Sequence, residues 1–459
     1  MEKDQDYLLN NREKFTRELL DFITIPSIAA LPEHAKDVHR AATWLQQKMS
    51  GVGIQNVEIM DTGGQPAVYG DWMHAGNGKP TVLIYGHFDV QPVDPVELWD
   101  HDPFTPTIID EKIFARGASD DKGSMFIPII VFEAIYKSSG TFPFNIKFLF
   151  EGEEEIASPK MPEFVSNNVD KLKCDMIFSA DGGQFSESEP NLAVGFKGIL
   201  GFDIEVIGPE TDKHSGLFGG AIANPIMALT QLLSSMKNTD GQITIDGFCN
   251  EVVPLNNEDK AEIARVPFDE KQYLNLTGSV GLDGETGYTA PERIGARPTL
   301  DVNGIWGGYQ GVGTKTVLPS KANAKITCRL VANQKPKEIL KKIEKHVKKF
   351  LPNGVVGKVI PLQDEGDPLL IPKNHRSTEV ARDVLRKVYG KEPYMIRVGG
   401  SIPILSAFYK YLGIHATMFA FQLDDENWHA PNEFFRLSSF YKGQEAYRQL
   451  FHKIGGLSQ

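Results

Sequence analysis

TVLIYGHFDVQP, residues 81–92, decides the reading of this chain. Thr81 to Tyr85 is a run of β-forming residues with no polar face, the pattern of a strand buried on both sides in a parallel sheet. It breaks at Gly86 and delivers His87 and Asp89. The same event recurs downstream: KIFARGASDD (112–121) runs into Asp120, NIKFLFEGEEE (145–155) into Glu153, Glu154 and Glu155, and MIFSADGG (176–183) into Asp181. A late run, ATMFAF (416–421), leads through LDDENW to His429. In open α/β sheets ligands bind outside the carboxyl ends of the strands. Strand ends that carry acids and histidines therefore converge on one crevice despite their separation in sequence.

Outward from these runs, the pattern is helical on the N-terminal side. Phe15, Leu19, Leu20 and Ile23 share one face, and Val38, Ala41, Ala42, Leu45 and Met49 share another that ends near Gly51. Met125 to Tyr136 reads as an all-apolar helix among the strands. From about Gly195 the strands alternate instead, as in Phe202, Ile204, Val206 and in Ala324, Ile326, Cys328, which indicates an antiparallel sheet with one solvated face. Helices follow at 224–236 and 337–350, and then at 378–389 and 438–454. The expected fold class is α/β: a mostly parallel sheet flanked by helices, built from residues 1–196 and 367–459 and interrupted by an inserted α+β domain, 197–366.

The chemistry of the strand ends is that of metal ligation. Carboxylate and imidazole donors without thiolate suit Zn, Mn or Co, and three carboxylates with two histidines hold two divalent ions when one carboxylate bridges. Two ions bring +4, Asp120, Glu154 and Asp181 bring −3, and a shared hydroxide closes the balance, so buried charge is compensated. Such a pair of ions activates water for hydrolysis.

The motifs GHFDVQP (86–92), ARGASDDKG (115–123), EGEEE (151–155), KHSGLFGG (213–220), TVLP (316–319), GGSIP (399–403) and WHAPNE (428–433), with the Asp181 region, occur in an order that resembles the dinuclear zinc peptidase superfamily. That superfamily contains aminoacylase, acetylornithine deacetylase, succinyl-diaminopimelate desuccinylase and glutamate carboxypeptidase. Within it the chain is most similar to the carnosinase-like cytosolic dipeptidases, over residues 10–450. The resemblance implies that His87 and Asp181 bind one metal, Glu154 and His429 the other, and that Asp120 bridges them. It makes Asp89 the acid behind the His87 imidazole and Glu153 the general base, with Glu155 left to solvent. It implies a cis peptide between Asp120 and Asp121. In the inserted lid and dimerisation domain it assigns His214 to the oxyanion, across a homodimer interface, and Thr316, Arg329, Gly400 and Ser401 to the substrate's carboxylate. Ala115 and Ala157 depart from the pattern, each standing where glycine is usual.

Composition narrows the alternatives. With 48 Lys and Arg against 60 Asp and Glu, the chain of 459 residues carries a formal charge of −12, and no basic block offers a nucleic-acid surface. The longest apolar stretch, Phe126 to Ile135, is far short of the ~20 residues of a membrane span. The first residues show no secretion signal, and three scattered cysteines suit a reducing cytoplasm. The expected substrate is a dipeptide. An N-acyl amino acid deacylase of the same superfamily and a non-catalytic metal-binding relative remain open, whereas a dinuclear phosphatase lacks a phosphate-binding glycine loop. His101, His415 and Trp99 have no motif context and read as structural.

Overall fold

The computed structural model describes residues 2–457. The chain forms two compact units, one made of Met1–Ala193, Ile371–Met395 and Pro403–Gln459, the other of Val194–Leu370 and Ile396–Ile402.

The first unit is built on a six-stranded sheet in the order Gln55–Met60, Ala67–Trp72, Asn145–Glu151, Thr81–His87, Met176–Ser179, Ala416–Met418. The last four strands are mutually parallel, while the first two are antiparallel additions at one edge. Thr81–His87 lies between two parallel neighbours, which is why residues 82–87 are all buried and the run carries no polar alternation. The two edge strands were not legible as a pair, because AVYGDW places Gly70 and Asp71 inside a strand that is nonetheless wholly buried.

Helices cover the sheet. Ala35–Val52 buries Val38, Ala41, Ala42, Leu45 and Met49, one stripe at helical spacing, and stops at Gly53 in the left-handed region, φ 106°. Lys122–Ser139 buries its residues 122–135, so its continuous apolar run reflects a central position, packed against Leu437–Gly455 and the N-terminal helices.

The second unit is a four-stranded antiparallel sheet in the order Thr299–Gly307, Lys321–Leu330, Gly198–Ile207, Val356–Gly366. Its inner face carries Phe202, Ile204, Val206, Ala324, Ile326 and Cys328, and the helices Pro225–Ser234 and Pro336–Phe350 close the core over them. Ile396–Ile402 belongs here because Lys197 N donates to Gly400 O at 3.0 Å and Arg397 pairs with Asp259 at 2.8 Å. Among the described residues no helix is long and apolar enough to cross a membrane.

Candidate metal centre

The parallel strands bring their carboxyl ends to one edge of the first unit. His87 is the last residue of its strand, Asp89 lies two positions beyond, Asp181 lies two beyond Met176–Ser179, and the acidic run follows Asn145–Glu151. Asp120 lies two residues before the helix Lys122–Ser139, whose N-cap is Asp121, and the Asp120–Asp121 peptide is cis. His429 sits in the loop before Phe434–Arg436.

Asp120 is the centre of the cluster. Its Oδ1 lies 3.1 Å from His87 Nε2, and its Oδ2 lies 3.0 Å from His429 Nε2. Two groups of donors share it: His87, Asp120 and Asp181 in one, and Asp120, Glu155 and His429 in the other, the ligand atoms of each within 4.8 Å of one another. Glu155 Oε2 is 3.1 Å from His429 Nε2.

The acidic run stands one residue away from its expected register. Glu155, expected in solvent, has a side chain only 4% exposed and completes the second donor group. Glu154, expected as the ligand, is not in that group, and its carboxylate takes no hydrogen bond from a described residue. Glu153, expected as the base, points elsewhere: its carboxylate accepts the backbone N–H groups of Lys160 at 2.8 Å and Gln65 at 3.1 Å, in space that a Cβ on Gly64 would fill. The cause is the turn. Glu153 precedes a short 3-10 turn, Glu154–Ile156, that carries the next two side chains inward. The turn closes at Ala157, whose φ of 69° lies in the left-handed region, at the position where the resemblance expects glycine. That glycine position was the signal that would have set the register.

Asp89 is fully buried, and its carboxylate serves this turn as well as the histidine. Oδ1 accepts Glu154 N–H at 3.1 Å and Oδ2 accepts Glu155 N–H at 3.0 Å, while the nearest carboxylate oxygen to His87 Nδ1 is at 3.4 Å and the Asp89 carbonyl at 3.2 Å.

The electrostatics are those of an anionic pocket. Burial, followed by the charge of Asp120, pushes Glu155 up to about 7. Burial lifts Asp181 to about 6, against the pull of His87 and with the push of Asp120. Burial also raises Glu154 well above the carboxylate range, with Asp181, Glu155 and Asp120 adding to it. Hydrogen bonds to Asp120 and Glu155 lift His429 to about 10. Burial opposes ionisation of Asp120, but hydrogen bonds from His429 and His87 outweigh it and hold this carboxyl low. Four carboxylates that raise one another's cost of ionisation, relieved in part by two imidazoles, fit divalent cations, which replace protons as the compensating charge.

In the second unit His214 and Thr316 are neighbours on a two-stranded ladder, where His214 pairs with Val317 and Ser215 N–H donates to Thr316 O at 2.9 Å. His214 is exposed, and its Nδ1 accepts Gly216 N–H at 3.0 Å. Arg329 and Ser401 form a second pair, Nη1 donating to Oγ at 3.0 Å, beside Gly400, whose carbonyl accepts Lys197 N–H.

Fold and cluster together define a metal-binding hydrolase with donors for two cations around a shared aspartate. The chain belongs to peptidase family M20/M25/M40, whose family model matches residues 83–453, and it is a metallopeptidase. It is similar to the Cys-Gly metallodipeptidase dug1 of Schizosaccharomyces pombe, with 30% identity over 479 residues that cover 100% of this chain and 99% of that protein. It is 28% identical to the Beta-Ala-His dipeptidase of Homo sapiens, over 100% of this chain and 93% of that one. Among solved structures it resembles the M20 family metallo-carboxypeptidase Sso-CP2 of Sulfolobus solfataricus, with a TM-score of 0.82 and 29% identity over 96% of this chain and 99% of that chain.

Proposed function

We propose that this chain is a metallodipeptidase in which Asp120 bridges two ions, zinc or manganese, with His87 and Asp181 completing one site and Glu155 and His429 the other. The observation that carries this reading is the division of one carboxylate between two imidazoles, each in a separate three-donor group. Bound there, the cations supply Lewis acidity that acidifies a shared water and polarises the scissile carbonyl.

The chain's own residues do the rest. Glu154, next to a ligand and with a carboxylate that takes no hydrogen bond among the described residues, takes the proton of the attacking water at that carboxylate and returns it to the leaving amine. Asp89 holds the backbone of Glu154 and Glu155, which sets the base and the ligand at once. His214 accepts at Nδ1, so in its neutral form the proton is at Nε2, the tautomer that donates to a developing oxyanion. Arg329, with Ser401 against its Nη1, and Thr316 and Gly400 hold the free carboxylate of the substrate, a major orienting contact for so small a molecule.

The first unit would be the catalytic domain and the second a lid and dimerisation domain. The edge strand Thr299–Gly307 exposes Val302, Ile305 and Trp306, an apolar edge that suits pairing with a second copy in a homodimer. A cytoplasmic location agrees with three free cysteines.

The test is a panel of α- and β-linked dipeptides including Cys-Gly and β-Ala-His, with tripeptides and N-acetyl amino acids, assayed on protein whose ion content is measured. Turnover of dipeptides above the rest supports the proposal. Preference for acyl amino acids makes the chain a deacylase, and two bound ions without any turnover make it a binding relative.

A further inference from the structure

His429 is a half-exposed ligand candidate: 54% of its side chain remains accessible, so surrounding packing does not hold the imidazole in place. Its backbone is also unusual. Asn427, His429 and Asn432 all lie in the left-handed region, with φ of 57°, 58° and 61°, a conformation uncommon outside glycine that Asn and His tolerate better than most residues. Tertiary contacts must therefore place the half-exposed imidazole.

Two buried carboxylates do so, one near each end. The loop is pinched shut where Phe434 N–H donates to Glu426 O at 3.1 Å. Glu433, 0% exposed, accepts four hydrogen bonds from the segment that leads to Asp120: from Arg116 Nη1 at 2.7 Å and Gly117 N–H at 3.0 Å on Oε2, and from Ser119 N–H at 2.9 Å and Asp120 N–H at 3.0 Å on Oε1. Both oxygens are thereby saturated. Glu426, also 0% exposed, accepts the Ser119 hydroxyl at 2.6 Å, and that same hydroxyl accepts Trp428 Nε1–H at 3.0 Å, one residue before His429.

We propose that Glu426 and Glu433 are positioning residues of the metal centre: they bolt both ends of the His429 loop to the segment 116–120 that leads to Asp120, so that the imidazole and the bridging carboxylate arrive at the same point. Neither acid belongs to either three-donor group. Glu433 acts mainly through backbone N–H groups and Glu426 through the Ser119 hydroxyl, and a carboxylate is needed because every partner it meets there is a donor. An amide at 433 would turn one saturated oxygen into a donor that faces two donors. The inference rests on the assignment of Asp120 and His429 as ligands.

The experiment titrates metal-free protein with Zn²⁺ or Mn²⁺ against a competing chelator and records the melting temperature of the metal-free form, for wild type, Glu433→Gln, Ser119→Ala and His429→Ala. Glu433→Gln is expected to weaken one of the two ions about 10- to 100-fold, the range for losing a group that orients a ligand, and to leave the other ion near wild type. His429→Ala should weaken the same ion. Wild-type affinity in Glu433→Gln beside a depleted His429→Ala overturns this inference alone, whatever the melting temperature does. Two tightly held ions in His429→Ala overturn the ligand assignment and this inference with it. Should Glu433→Gln fail to fold, Ser119→Ala, which removes the hydroxyl between the loops, decides: weaker binding of one ion supports the proposal and unchanged binding of both rejects it.

Discussion

Asp89 controls Glu155 through the main chain: its Oδ2 accepts the Glu155 N–H at 3.0 Å, and its Oδ1 accepts the preceding Glu154 N–H at 3.1 Å. Because Asp89 lies only two residues beyond His87 on the neighbouring parallel strand, one buried carboxylate ties the ends of two strands together. Ligand geometry at both metal sites therefore depends on it. Asp89→Ala should lower metal affinity about 10- to 100-fold, measured by chelator competition. Full retention of both ions would show that the turn holds its shape unaided.

The acidic run separates three roles among identical residues. Glu154→Gln should keep both ions and lose at least about 10²-fold in kcat, as expected for removal of a general base. Glu155→Ala should lose one ion. Glu153→Ala should keep both ions and most of its turnover, but destabilise the fold by about 2 kcal/mol, because two backbone N–H groups lose a buried acceptor. Ion content, initial rates and denaturant unfolding on the same preparations check all three. Loss of turnover confined to Glu153→Ala would restore the register that the motif alone suggested.

This run also shows where sequence is legible. A strand with a parallel neighbour on each side has no solvated face, so TVLIY announces its own burial, and the end of such a strand points to the crevice. His87 and Asp181 were legible on that ground. Asp120 follows the antiparallel strand Lys112–Phe114 and His429 lies in a loop well beyond the edge strand Ala416–Met418, so only the order of the motifs pointed to those two. Three consecutive glutamates, by contrast, carry no periodicity, and only the turn that follows decides which side chain faces inward. The bolts at Glu426 and Glu433 were invisible for a related reason, since their partners, mostly backbone N–H groups for Glu433 and the Ser119 hydroxyl for Glu426, lie about 310 residues away and follow no local spacing.

If Arg329 holds the free carboxylate of the substrate, its charge is one that a dipeptide amide cannot use. Arg329→Met should raise KM about 10- to 100-fold for a dipeptide acid, the loss of a charge-assisted hydrogen bond. The corresponding dipeptide amide should be cleaved by variant and wild type with similar KM. An equal rise for acid and amide would reassign Arg329 to the structure of its own sheet.

If His214 donates across a homodimer, two dead variants should rescue each other. His214→Ala and Glu154→Ala, each inactive alone, should recover about a quarter of wild-type activity after dissociation and random reassociation, since half of the dimers are mixed and each holds one intact pair. Sedimentation of the same mixture establishes the dimer. A dimer without recovered activity would place His214 in the site of its own chain.

His415 gives the fold an acid-sensitive element separate from the metal ligands. Burial, with the nearby His375 adding to it, pulls this imidazole down to about 4, and its buried Nδ1 has no hydrogen-bond partner among the described residues. The ring stacks on Tyr409 with centroids 4.1 Å apart. The unfolded chain takes up a proton at this residue below its ordinary pKa of about 6.5, whereas the folded chain resists until about pH 4. Between those values the unfolded state binds more protons, so stability falls as pH falls. His415→Phe keeps a stacking ring and removes the titration. On metal-free protein, the loss of melting temperature from pH 7 to pH 5 should be smaller in His415→Phe than in wild type, by on the order of 3 °C. Equal losses in the two proteins would mean that His415 is as readily protonated folded as unfolded, and that the acid sensitivity of the chain lies elsewhere.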